Sequence, residues 1–228
     1  KNLPTSNSAT PVFAGMKFQT PWETLNYLEL HPGSSFSPPP HTSFEQGYIM
    51  LEGTIDYSGN GHAQQLREPA VLLCQLDGHP NHTLINSTAQ TARLLHVRVA
   101  LAPHSDQQRP LRRENVDPNK LKWRDAIHGG AGRIATRHIW GPDDFSSTWT
   151  FMDHAVLGPQ SSVGYHYHDA LEECFLILRG RGCMTIADAT FAVGPGSATW
   201  QGIRAGHGIY NPHDDELDFL RLAAAQKD

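Results

Sequence analysis

His166 and His168 are separated by one residue, Glu173 follows five residues after the second, and His207 comes much later. Imidazole nitrogens and carboxylate oxygens are good ligands for divalent first-row metals. Residues two apart on a strand face the same side, so one ion could meet both imidazoles. Asp169, Ala170 and Leu171 can end that strand. The run from Glu173 to Leu178 is apolar after its first residue and closes on Arg179 and Gly180, so it reads as a returning strand. Glu173 is expected to face the two histidines from the neighbouring strand, and His207 to complete the set from a third. Three neutral imidazoles and one carboxylate leave a divalent ion with net positive charge and open coordination positions. Such a centre polarises a carbonyl or a chelating enolate, or engages dioxygen when the metal is redox-active. Fe(II), Mn(II), Ni(II), Co(II), Cu(II) and Zn(II) all suit these ligand types.

Further residues extend this candidate site. Arg204 could hold a substrate carboxylate with its fork of donors, Trp200 flanks the approach to His207, and Asn211 shares the His207 face of a regular strand. These three are the candidate catalytic residues. Two of them have a plainer alternative, Asn211 as a turn former before Pro212 and Arg204 as a surface cation. Phe175 and Ile177 alternate with Glu173 and should wall the cavity, while Tyr165, Tyr167 and Glu172 point away from it. The glycine-rich stretch from His128 to Arg133 could cradle an anion on its amides, or simply lead into the next strand. No Lys-Ser/Thr follows to make it a P-loop.

The full pattern reads Gly164-x-His166-x-His168-x4-Glu173-x6-Gly180, then Gly194-Pro195-Gly196 and His207-x3-Asn211. It resembles the two signature motifs of the cupin superfamily, over residues 164–211. It departs from them before His207, where the usual Pro and Gly give way to residues 201–206; Gly202 and Gly206 still favour a turn there. The resemblance implies a jelly-roll-type β-barrel with one metal held by His166, His168, Glu173 and His207. It allows dioxygenases, oxidases, decarboxylases, isomerases, epimerases and hydrolases, and fold does not choose among them. The complete 3-His/1-Glu set favours a non-haem dioxygenase with Fe(II) acting on a small polar metabolite. The alternatives are a non-redox isomerase, lyase, decarboxylase or hydrolase, and a non-catalytic metabolite-binding protein. Ionisable groups clustered in an apolar barrel cost stability, which argues against a purely structural role. Many cupins form homodimers, so a homodimer is expected.

A second, altered copy of the pattern lies upstream. Aligning Gly53 with Gly180 sets Gln46 on Glu173, Glu45 on Glu172, His41 on His168 and Pro39 on His166, and His82-x3-Asn86 matches His207-x3-Asn211. Proline cannot ligate, and glutamine is a neutral, weaker donor than a carboxylate. The first copy is therefore expected to be a metal-free barrel, with a weak second metal or small ligand at His41, Gln46 and His82 as the alternative.

The elements that must position these residues are short β-type runs broken by turn clusters such as His31-Pro-Gly and Ser58-Gly-Asn-Gly. The expected class is all-β: two tandem cupin barrels at 1–102 and 132–228, joined by a proline- and charge-rich linker at 103–131. Asp117-Pro118 can open a short helical turn inside that linker, and residues 1–12 read as an irregular lead-in. The net charge is -5, with no basic stripe or zinc-finger spacing, so nucleic acid is not an expected partner. No apolar run reaches membrane-spanning length, and the first residues lack the regions of a signal peptide. The three cysteines, Cys74, Cys174 and Cys183, have no CxxC partner and read as buried apolar residues. A reducing compartment, the cytoplasm, is expected.

Overall fold

The apolar runs fold as antiparallel strands, and among the described residues there is no α-helix. The structure, a computed structural model, describes residues 9–13, 15, 17–39, 43–59, 61–75, 82–101 and 111–226, apart from the side chains of 74 and 75. His41 of the altered motif, the side chain of Cys74 and the start of the expected linker lie outside the described residues. The chain divides into two compact units, one of residues 1–17 and 22–116, the other of 18–21 and 117–228.

The first unit contains β1 (Ala9–Pro11), β2 (Trp22–Leu30), β3 (Ser35–Phe36), β4 (Phe44–Glu52), β5 (Thr54–Gly59), β6 (His62–Arg67), β7 (Ala70–Gln75), β8 (His82–Ile85), β9 (Ala92–Ala100) and β10 (Arg112–Asn115). They form two sheets, in the orders β1-β2-β9-β4-β7-β10 and β3-β8-β5-β6. Leu28, Tyr48 and Leu94 from one sheet meet Ile55, Leu66 and Leu84 from the other in a buried core. The second unit contains β11 (Lys122–Asp125), β12 (Arg133–Trp140), β13 (Trp149–Leu157), β14 (Ser161–His166), β15 (Leu171–Arg179), β16 (Gly182–Ile186), β17 (Ala189–Val193), β18 (Ala198–Gln201), β19 (His207–Asn211) and β20 (Leu217–Ala225). Its sheets run β11-β12-β13-β20-β15-β18 and β14-β19-β16-β17. Ile134, Phe175, Ile177 and Phe219 pack against Met184 and Ile209 between them.

The two orders superpose: β12-β13-β20-β15-β18 repeats β1-β2-β9-β4-β7, and β14-β19-β16-β17 repeats β3-β8-β5-β6. Each unit is a jelly-roll-type barrel of two facing sheets. The aligned glycines of the sequence repeat turn the chain at the same place, Gly53 with φ +83° before β5 and Gly180 with φ +79° before β16. A Cβ on Gly180 would lie 2.3 Å from the Glu216 carbonyl oxygen, so that turn needs glycine sterically as well as conformationally.

Two short strands lie in the described part, 111–131, of the stretch expected as a linker. Arg112–Asn115 pairs with β7 in the first unit, and Lys122–Asp125 pairs with β12 in the second. Between them lies the expected turn, a 3-10 helix at Pro118–Lys120 capped by Asp117. The lead-in also differs, because Ala9–Pro11 pairs with β2. Residues 18–21 belong to the second unit for a polar reason. The buried Glu172 carboxylate accepts from the amides of Gln19 and Thr20, both at 3.0 Å, and from the Thr20 hydroxyl at 2.7 Å. No helix of the described residues is long and apolar enough to cross a membrane.

Candidate metal centre

His166 ends β14 and lies directly across from His207 on β19. His168 follows two residues beyond the strand end, in the stretch that turns toward β15. Glu173 belongs to β15, which pairs with β18 and β20 in the facing sheet. The carboxylate therefore crosses the barrel rather than facing the histidines from a neighbouring strand. The outcome is a tight cluster: donor atoms of His166, His168, Glu173 and His207 all lie within 4.8 Å of one another. Among the described residues it is the one such group of three or more potential ligands.

Backbone carbonyls orient the rings. His166 Nδ1 lies 2.9 Å from the Gly164 oxygen, and His207 Nδ1 lies 3.0 Å from the Ala205 oxygen. A carbonyl oxygen only accepts, so each Nδ1 carries a hydrogen and each Nε2 is turned into the centre, where an ion would displace any proton shared with Glu173. Glu173 Oε2 lies 3.2 Å from His168 Nε2 and 3.1 Å from His207 Nε2. Adjacent donors around a first-row ion sit roughly 3 Å apart when each bond is about 2.1 Å, so these separations fit a shared metal. His166 Nε2 is buried and makes no hydrogen bond, so its lone pair is available to a ligated ion.

The charges suit a cation. Burial opposes ionisation of Glu173, but hydrogen bonds from His168 and His207 and the charge of Arg221 outweigh it and hold the carboxyl well below its usual range. Burial pushes the His166 imidazole down to about 4, so near neutrality it is uncharged and free to ligate. Phe175 and Ile177, both buried, continue inward along the Glu173 strand, and the Phe175 ring meets His207 edge-on at 6.0 Å.

The three other candidates do not join this cluster. Trp200 pairs with Cys174, whose side chain alternates away from Glu173, and its ring packs on Phe18 at 4.6 Å. Arg204 holds the chain through its amide, which donates to the His168 carbonyl at 2.8 Å. Its side chain is 75% exposed beside Asp169. Asn211 is buried and fully engaged: Nδ2 donates to the carbonyls of Gly158 and Asp215 at 2.9 and 2.7 Å, and Oδ1 accepts from the His213 amide. Asn86 makes the same kind of pin in the first unit, donating to Leu30 and Gln90. The motif's asparagine is thus a loop fastener in both repeats. Tyr165 and Tyr167 are exposed.

Two residues not singled out by the sequence border the centre. Gln201 sits directly across from Glu173, is buried, and leaves Oε1 without a hydrogen bond. His128 stacks flat on His166, with ring centroids 3.8 Å apart and planes 7° apart. Its loop packs so closely on β14 that a Cβ on Gly164 would fall 1.9 Å from the His128 carbonyl oxygen. The anion cradle imagined for this loop does not form. The amides of Gly130, Ala131 and Arg133 donate instead to Ile127, Ser162 and Ser161. A histidine beside glycines carries no strand periodicity, so nothing local tied it to the motif.

In the first unit an amide stands where the second has its carboxylate. His96 Nε2 lies 2.5 Å from Gln46 Oε1, and the Tyr48 hydroxyl lies 2.6 Å from His82 Nε2. Tyr48 stacks on His96, and Tyr57 on His82.

Two facing antiparallel sheets enclosing three imidazoles and a carboxylate are the hallmark of a cupin-type metal barrel. Residues 153–222 match the Cupin domain family. The matched residues lie in the second unit, and both units share the jelly-roll-type fold. A curated relative, the oxalate-binding protein of Thermotoga maritima, is 23% identical over 112 residues, 49% of this chain and 90% of the relative. A structure described as a glyoxylate-induced protein of Pseudomonas aeruginosa is similar with a TM-score of 0.72 at 14% identity, covering 87% of this chain and 73% of its own. The salicylate 1,2-dioxygenase of Pseudaminobacter salicylatoxidans is similar with a TM-score of 0.69 at 13% identity, covering 96% and 76%. At such identities the structural likenesses bear on the two-barrel fold alone.

Proposed function

We propose that the chain is a metal-dependent enzyme acting on a small polar metabolite. In this reading His166, His168, Glu173 and His207 hold one divalent transition metal, Fe(II) first, and the reaction is an oxygenation. The observation that carries it is the convergence of three imidazoles and a carboxylate on one point, with Glu173 and His207 buried and His166 and His168 half-buried. A redox-active metal held there would supply Lewis acidity and electrons for dioxygen chemistry.

The chain's own residues supply the rest. Neutral imidazoles and a single carboxylate leave a loaded centre net positive, which favours an anionic substrate. Phe175 and Ile177 exclude water, so that attraction acts at a low dielectric. Gln201 offers a fixed amide beside Glu173 for a polar substrate group.

The oxalate binding of the curated relative favours a second reading, in which a small dicarboxylate chelates the same centre and the chemistry is non-redox. One experiment separates the two. Purified protein is analysed for metal, reconstituted with Fe(II), and followed for oxygen uptake against small carboxylates including oxalate. Substrate-dependent uptake that His207→Ala abolishes supports oxygenation. Binding or turnover of a carboxylate without oxygen uptake supports the second reading. A chain that takes up no divalent metal overturns both.

A further inference from the structure

Glu173 presents two different oxygens. Oε2 meets His168 and His207, while Oε1 has no hydrogen bond and faces Arg221 Nη1 at 3.5 Å. Arg221 is itself fixed. Its Nη2 donates to Asp153 Oδ2 at 2.6 Å, and its guanidinium lies over the Phe151 ring at 5.2 Å. The other oxygen of Asp153 meets His138 Nδ1 at 2.5 Å. The side chains of Glu173, Arg221 and Asp153 are 0%, 11% and 2% exposed, so a buried cation links two buried carboxylates. Such a chain costs desolvation, and an apolar replacement of equal volume is often no less stable. Its retention calls for a reason other than stability.

The first unit supplies a comparison within the same molecule. Arg221 lies across from Phe175 on β15 and from Asp153 on β13. The same register in the first unit places His96 across from Tyr48 on β4 and from Asn26 on β2. His96 contacts the side-chain oxygen of Gln46, as Arg221 faces that of Glu173. Carboxylate, guanidinium and carboxylate in one barrel are thus amide, imidazole and amide in the other. The guanidinium and both carboxylates of one barrel give way together to an imidazole and two amides in the other, which ties Arg221 and Asp153 to Glu173 rather than to the barrel.

We infer that Arg221, oriented by Asp153, is a positioning residue. It holds Glu173 Oε1 aside, restricts the carboxylate to one-oxygen ligation, and keeps a coordination position open for substrate. The inference rests on the metal-binding reading above. A planar fork that reaches two carboxylates at once suits this role, where a point charge would satisfy one.

The test uses the full chain loaded with Co(II), whose visible absorption reports coordination number, and azide as a probe of the open position. Arg221→Met frees Oε1 to bind. The Co(II) bands should shift and weaken, azide affinity should fall at least about tenfold, and Co(II) affinity should not fall. Arg221→Lys should restore part of both readouts. Because Arg221→Met leaves Asp153 unpaired, the charge-balanced Asp153→Asn/Arg221→Met pair is measured beside it and should show the same changes. A wild-type spectrum and azide affinity in the balanced variant overturn the inference. So does a loss of Co(II) affinity of about tenfold or more, which marks a merely structural support. Wild-type protein that binds no Co(II) fails the metal reading itself, and with it this one.

Discussion

His82 makes burial in the first barrel measurable. Its side chain lies in β8, 3% exposed, with Nε2 against the Tyr48 hydroxyl and the ring under Tyr57. Burial pushes the imidazole from 6.5 down to about 4. Between those values the unfolded chain binds a proton that the folded chain refuses. Stability contributed by the neutral ring is complete above the unfolded value and is lost as pH falls toward 4. A gap of roughly 2.5 units at about 1.4 kcal/mol each is worth about 3 kcal/mol, a large share of the stability of an ordinary domain. His82→Gln keeps an acceptor for Tyr48 and removes the titration. Hydrogen exchange read by mass spectrometry on peptides from β4, β5 and β8 isolates this unit, and comparing both proteins at each pH cancels the intrinsic exchange rate. From about pH 7.5 to 4, the wild-type opening free energy should fall relative to the variant by about 3 kcal/mol. A difference that stays flat, or that grows in favour of the wild type, refutes the reasoning.

Other perturbations probe the second barrel and its supports. Glu173→Gln should weaken divalent metal binding by more than about 100-fold in a chelator competition, while Gln46→Ala should leave metal stoichiometry unchanged. Asn211→Ala removes the donor from the buried Gly158 carbonyl and from the Asp215 carbonyl of the following loop. It should cost about 2–4 kcal/mol in urea unfolding and leave the metal affinity of the folded protein intact. Gly164→Ala drives a methyl group into the His128 carbonyl. It should lower Tm and raise hydrogen exchange at residues 127–131, and unchanged exchange there would show that the loop is not held by this contact.

The two barrels were legible in the sequence because their signals are local or repeated. The one-residue spacing marked His166 and His168 as a pair, although His168 lies past the strand end, and the aligned glycines Gly53 and Gly180 mark the same turn twice. The spacing from Glu173 to Gly180, with His207 and Asn211 beyond, resembles a known pair of motifs and names the four side chains that cluster. The exchange of Glu173 for Gln46 was legible for the same reason. Pairing between distant strands decided the rest. It set Glu173 on the sheet facing the histidines and turned Trp200 outward behind Cys174. It spent Asn211 on backbone carbonyls, since a buried amide must satisfy its hydrogen bonds wherever the loop offers partners. His128 and Gln201 reached the centre, and Arg221 reached Glu173, across gaps of 38, 28 and 48 residues that no local periodicity encodes. Sequence alone thus specified which groups could ligate. Only the packed sheets determined which oxygen of Glu173 faces the histidines and which faces a buried arginine, because burial makes an unpaired charge too costly to leave.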